Sequence, residues 1–232
     1  MEKRKSFVIL YFKFLSEEVP ANAWEAIRDS IYTEENGLGI TNVNLEEEKL
    51  TATLIKRIPT YILDYNQLTA QFEKKQIYIF SEVSFTIDIK YRLLIVHGAN
   101  SGVPQVKAFL KSVFKSKYEL RQIEFIPYNF YHALKELDVT SYFQEASIDR
   151  FNYKNGVVGK FSAKIIDQTI GDEIFTEYRS DINKVLFKLK MKNDREFLLQ
   201  VCSNGSFTVV GDDTESEVYF PLIKDILNKF YA

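Results

Sequence analysis

Cysteine is almost absent: Cys202 is the only one in 232 residues. An intramolecular disulfide is excluded, and a reducing, intracellular compartment, nuclear or cytoplasmic, is the expected setting. Histidine is nearly as scarce. His97 and His132 stand far apart and lack the close spacing or Cys/Asp company of a metal site. No Walker loop, GxGxxG, GxSxG, HExxH or CxxC occurs. The expectation is a non-enzymatic protein without catalytic residues, metal or cofactor. No apolar run approaches the roughly 20 residues of a spanning helix, so no membrane partner is expected. The basic, apolar start imitates a leader, but Lys13 interrupts it and no small-residue cleavage site follows. It reads as a first strand. An excess of either charge is also missing, since 30 basic residues face 32 acidic ones. That balance argues against unspecific polyanion binding and leaves room for a local basic patch.

What is abundant is aromatic. Phe (19) and Tyr (14), with frequent Ile, Val and Thr, favour a sheet-rich protein with a well-filled core. The clearest stretch is 196–230. There a strand meets a tight turn at Ser203-Asn204-Gly205-Ser206, and a second strand ends at Gly211. Asn-Gly between apolar, β-rich runs is a strong hairpin signal. A terminal helix follows, with Val218, Leu222, Ile226, Leu227 and Phe230 on one face. Residues 91–114 repeat the plan as a strand running into Gly98, a polar loop, and a helix carrying Val106, Phe109, Leu110 and Val113 inward.

Taken in order, 6–14 reads as a strand and 21–32 as a helix opened by Pro20, with Trp24, Ile27 and Ile31 on one face. Strands 40–45 and 50–58 follow around the charged tip Glu46-Glu47-Glu48-Lys49, and Pro59 ends the second or places it at a sheet edge. Residues 60–75 read as an irregular excursion with a short helix. Strands are expected at 77–90 and 92–97, then the helix of the first anchor. The second half gives a strand at 118–126, a short helix at 129–137, and a hairpin of 147–154 with 157–166 around Asn155-Gly156. A polar excursion at 167–181 precedes strands 184–191, 196–202 and 207–210 and the last helix. Two halves, 1–116 and 117–232, therefore share one element order. The alternative is a single irregular α+β domain whose halves match by accident.

A β-α-β4-α unit in tandem resembles the saddle of the TATA-box-binding protein family. The residues that carry the likeness are those of the two strand–Gly–loop–helix stretches and of 122–137. The resemblance implies an α+β fold, TBP-like, whose curved antiparallel sheet bears its helices on the convex side. It implies that Ile95, His97, Thr208 and Val210 line a concave, DNA-contacting face. The positions matching the family's wedge phenylalanines read Thr51, Ile87, Val158 and Val201, so base readout would be divergent. The resemblance also implies transcription-factor-like DNA binding, with a protein partner on the convex helix. A protein-assembly scaffold of the same fold, without direct DNA binding, is the rival reading.

Other features have two readings each. Lys107, Lys111 and Lys115 share a helix face, either merely solvated or a contact patch for an acidic partner. Lys3, Arg4 and Lys5 form a basic arm or a soluble tail. Asp212, Asp213, Glu215 and Glu217 suit a helix N-terminus better than a cation site. Cys202 lies within a strand, where a buried thiol is inert. Tyr128, Phe130, Tyr131, Tyr142 and Phe143 fill a core or stack on single-stranded bases.

Overall fold

The computed structural model describes residues 3–16, 19–46, 48–137, 139–154, 157–191, 195–211 and 216–231. It is an α+β chain with eleven strands and five α-helices among these residues. In order these are β1 (Lys3–Phe14), α1 (Val19–Arg28), β2 (Leu38–Glu46), β3 (Lys49–Asn66), β4 (Gln71–Asp88) and β5 (Leu93–His97). Then come α2 (Val103–Phe114), β6 (Tyr118–Gln122), α3 (Pro127–Glu136), β7 (Thr140–Lys154) and β8 (Val157–Lys164). The remainder are α4 (Gln168–Glu177), β9 (Ile182–Lys190), β10 (Glu196–Cys202), β11 (Ser206–Gly211) and α5 (Ser216–Tyr231). No described helix is long and apolar enough to cross a membrane. The tip at Glu47, the turn Asn155-Gly156 and the acidic run Asp212–Glu215 lie outside the described residues.

The chain divides into two compact units. The larger comprises Met1–Tyr11, Gly98–Asn100 and Leu120–Ala232; the smaller comprises Phe12–His97 and Ser101–Glu119.

The larger unit holds antiparallel strands in the order β1-β11-β10-β9-β7-β8. Its sequence alternates, so one face is apolar and the other mixed. Phe7, Phe143, Phe187 and Phe207 all lie on the apolar face and are almost fully buried. Helices cover them. Phe130 and Tyr131 of α3, Phe175 of α4 and Tyr219 of α5 each bring an aromatic ring against this face. The β10–β11 turn forms as expected, with the Gly205 N–H donating to the Cys202 carbonyl and Gly205 at φ +77°. A Cβ at Gly205 would stand 2.9 Å from the Ile9 carbonyl oxygen and 3.3 Å from that of Ile123. Gly205→Ala is therefore expected to destabilise the unit by about 1–2 kcal/mol or more, through left-handed strain plus the close contact. A lower urea midpoint with an unchanged m-value checks it.

The smaller unit holds β2-β3-β4-β5, again antiparallel. Leu50, Ala52, Leu54, Val83, Phe85, Ile87, Leu94 and Val96 form its apolar face, and α2 seats Phe109 against Phe85. The close fit extends to Gly102, where a Cβ would lie 2.8 Å from a Val83 methyl.

Three expectations are corrected. Residues 60–75 are neither irregular nor helical. β3 and β4 run on past Pro59 as one uninterrupted hairpin, from Lys49↔Asp88 to Asn66↔Gln71, turning at residues 67–70. Pro59 is tolerated because β3 has no second neighbour there, β2 pairing ending at Lys56. Residues 167–181 contain α4, capped by the Asp167 carboxylate accepting from the Thr169 N–H at 2.8 Å. Helix α1 stops at Arg28, so Ile31 leaves the helical face; it forms an isolated bridge with Ile40 and is exposed.

Candidate nucleic-acid interface

Each sheet has a second face, away from its own unit's helices. In the smaller unit it is polar. Thr51 and Thr86 face each other across β3 and β4 with hydroxyls 3.3 Å apart, and Thr86 Oγ1 is 3.3 Å from His97 Nε2. Thr53 and Ser84 pair in the same way at 3.0 Å. Ile95 is paired with Thr86 and shares this face, yet it is only 3% exposed.

In the larger unit the corresponding face is basic. The register sets Lys184, Leu186, Lys188 and Lys190 of β9 beside Cys202, Gln200, Leu198 and Glu196 of β10. On the other flank, Tyr142, Glu145 and Ser147 of β7 face β9, and Lys164 and Ser162 of β8 face Glu145 and Ser147. β11 contributes Thr208 and Val210, opposite Ser6 and Arg4 of β1. Among the described residues, Arg4, Lys164, Lys184, Lys188 and Lys190 thus stand against Glu145, Glu196 and, at the β8 end, Asp149, which pairs with Lys160 at 3.2 Å. Lys188 pairs with Glu196 at 2.7 Å. The floor between the cations is hydroxyl-rich. Ser6 and Thr208 are 2.9 Å apart, and Ser147 and Ser162 2.7 Å apart. At the β8 end a shallow groove of about 430 Å³ is lined by Ser147, Lys160, Ser162, Lys184, Cys202 and Asn204, among others. A row of amines and hydroxyls on one face can bind phosphate oxygens as point charges and hydrogen-bond donors.

No protein-family model matches the chain, and no curated protein matches it.

The expected contact residues separate by strand parity. Thr51, His97, Ile95, Thr208 and Val210 stand on the helix-free faces of their units. Ile87 and Val201 do not. Ile87 pairs with Leu50 and Leu94, Val201 with Val185 and Phe207, and both have no exposed surface, so they belong to the cores. Val158 is 65% exposed, at the start of β8. Lys107 and Lys111 lie on α2, whereas Lys115 is its C-cap, with φ +53° and its N–H donating to the Lys111 carbonyl. The lysine stripe on the helix is therefore shorter than expected. Cys202 is half-buried on the basic face rather than in the core. Phe130, Tyr131 and Phe143 are core residues, and Tyr142 is exposed.

Sequence reasoning missed Lys164, Lys184, Lys188 and Lys190. The signal was present: KVLFKLK at 184–190 alternates, with Val185, Phe187 and Leu189 on one side and lysines on the other.

One other cluster has perturbed chemistry. The Tyr131 hydroxyl donates to Asp172 Oδ1 at 2.7 Å, and Lys135 Nζ lies 3.5 Å from the same oxygen and over the Tyr131 ring. Burial, the hydrogen bond and the Asp172 charge together push the Tyr131 hydroxyl well above the usual tyrosine range. Above pH ~10 the unfolded chain ionises this tyrosine while the folded one keeps its proton, so folding stability falls as pH rises. Tyr131→Phe is expected to cost about 1.5–3 kcal/mol near neutrality, the range for a hydrogen bond to a charge. The gap to the unsubstituted chain should then narrow above pH ~10. Urea melts of both proteins across pH 7–11 read it. With its ring in the aromatic core, this cluster ties α3 to α4 and has the geometry of a structural contact.

Proposed function

We infer that this chain is a non-enzymatic nucleic-acid-binding protein, with duplex DNA as its first candidate ligand. It contacts the phosphate backbone through the helix-free face of the larger unit. The observation that carries the reading is the concentration of Arg4, Lys164, Lys184, Lys188 and Lys190 on one sheet face of a chain whose net charge is −2. A near-neutral protein gains nothing from overall charge in approaching a polyanion; a local field of this kind supplies the attraction.

The mode is backbone contact without intercalation. A kinked base step loses stacking worth a few kcal/mol and requires an apolar wedge in its place. Two of the four wedge positions, Ile87 and Val201, are core residues, and Thr51 is a hydroxyl on a polar face. Val210, Thr51 and His97 remain as flanking contacts, whereas Thr208, like Ile95, is buried. The resemblance to the TATA-box-binding protein saddle is kept as part of this proposal. It is supported by antiparallel sheets with helices on one face in each unit and by the strand ending at Gly98 before α2. Lys107 and Lys111 would serve a protein partner on α2.

The scaffold reading draws on one specific observation, the exposed aromatic hairpin of β3 and β4, which suits protein contact better than phosphate. Fluorescence anisotropy with labelled duplex and single-stranded DNA, titrated at several salt concentrations, separates the two. Steep weakening with rising salt is expected, and the absence of binding at 50 mM salt would sink the nucleic-acid reading.

A further inference from the structure

Beyond Lys56 no described strand lies beside the outer edge of β3, and β4 meets β5 only from Phe85 onward. From Arg57↔Phe80 to Asn66↔Gln71 the two strands pair only with each other among the described residues, apart from the Arg57 N–H, which donates to the Gly37 carbonyl at 2.7 Å. Ten residues per strand make a ribbon of about 33 Å. A two-stranded ribbon with no third layer is marginally stable in water. This one is also apolar. The register puts Tyr61, Leu63, Tyr65, Phe72, Tyr78 and Phe80 on one face, and each is between 49% and 70% exposed. Tyr65 and Phe72 meet edge to face, with ring centroids 5.2 Å apart.

We propose that this aromatic face packs antiparallel against the same face of a second copy, making the chain a two-fold dimer. The area fits. An aromatic side chain buries about 150–250 Å² when fully covered, so the exposed fractions sum to roughly 600 Å² per copy. A pair then buries roughly 1,200 Å², above the ~1,000 Å² that a specific interface requires. Left uncovered, the patch lies at the upper limit of what monomers expose.

The charges select the occupant and the orientation. The face carries two cations, Arg57 at the base and Lys74 towards the tip, and no carboxylate. The two-fold axis of an antiparallel packing passes by the central pair, Tyr61 and Gln76. Arg57, whose guanidinium lies 4.5 Å from the centroid of its own Tyr78 ring, then faces the other copy's Tyr65 and Phe72, so aromatic rings of both copies cover the cation. A two-fold axis along the strands lays β3 over the other copy's β4 and gathers both Arg57 side chains at the same end of the interface, which like-charge repulsion disfavours. The ribbon's other face is polar towards the tip, where Asp64 pairs with Lys75 at 3.4 Å and Asn66 donates to Glu73 at 2.9 Å, so that face stays in water. Two cations along ~33 Å are too few to track a duplex with a charge every ~1.7 Å. The dimer is independent of the nucleic-acid reading.

Size-exclusion chromatography with light scattering on the full chain, free of nucleic acid, tests it. The unsubstituted protein is expected at twice the chain mass in the micromolar range, and Tyr61→Lys with Leu63→Lys at the chain mass. Ile62→Lys, on the other face, should leave the dimer intact. In a Cys202→Ser background, a short bis-maleimide should crosslink Gln76→Cys between copies and should not crosslink Thr60→Cys; faces packed about 10 Å apart exceed the reach of a disulfide. A monomer at every concentration, or a dimer indifferent to Tyr61→Lys with Leu63→Lys, overturns the proposal. So does a monomeric chain that binds anionic vesicles, or duplex DNA, through Tyr61 and Leu63, since either result gives the face to another ligand.

Discussion

Phe187→Ala should leave the larger unit near the limit of folding. Phe187 has no exposed surface, and its ring lies 5.6–6.3 Å from those of Phe130, Tyr131, Phe143 and Phe175. These rings come from α3, β7 and α4, so the truncation loosens two helices and a neighbouring strand together. Phe→Ala substitutions in cores cost about 3–5 kcal/mol, because the cavity collapses only in part. A domain holds about 5–15 kcal/mol in total, so most of the margin would go. Tyr142→Ala, one residue from Phe143 but on the opposite face and exposed, should change stability by no more than about 0.5 kcal/mol. Urea denaturation of the two variants reads the contrast. Equal losses would mean that the parity of β7 and β9 is misassigned.

The second large effect concerns binding. Replacing Lys164, Lys184 and Lys188 by Gln should weaken duplex DNA binding by about 10²–10³-fold at 0.1 M salt, and lower the salt slope by about 3. The reasoning is counterion release. Each phosphate neutralised contributes about 0.9 to the slope of log K against log salt, so three lost contacts remove about 2.7 powers of ten at 0.1 M. Lys188 gives up part of its share, because Glu196 competes for it at 2.7 Å. Lys107→Gln with Lys111→Gln, on α2, should leave both slope and affinity unchanged. Gln is chosen over Glu so that the slope reports loss of contact, with no added repulsion.

Strands that bury one face were legible in the sequence, because their alternation reports that burial directly. β9 is the plainest case, its lysines and its Val185, Phe187 and Leu189 falling on opposite sides. The β10–β11 turn was legible for a different reason: Asn-Gly supplies the positive φ that the turn needs, and the Asn204 side chain accepts from the Ser206 N–H. The ribbon was opaque. Tyr61, Ile62 and Leu63 are consecutive apolar residues on alternating faces, and a two-stranded arm with no buried side has no period to report. α4 was opaque because it is short and buries little, Gly171 and Phe175 being its buried residues.

Part of the candidate site failed at parity. Alternation separates the two faces of a strand without saying which one meets the helices, and cross-strand pairing settles that. Thr86 pairs with Ile95 and Ile87 with Leu94, so Ile87 and Ile95 cannot share a face. The basic face was missed because its cations are scattered over three strands, at positions 4, 164, 184, 188 and 190. The alternating run 184–190 carries three of them, and only the register brings Arg4 and Lys164 onto the same face.

Lysine-reactivity footprinting tests the central claim most directly. The chain is acetylated with and without a duplex DNA fragment at 50 mM salt, and each lysine is read by mass spectrometry. Protection of Lys164, Lys184, Lys188 and Lys190, with Lys107 and Lys111 unchanged, is the predicted result. Protection of Lys107 and Lys111 while the four sheet lysines react as before would contradict it, moving the nucleic acid to the α2 surface.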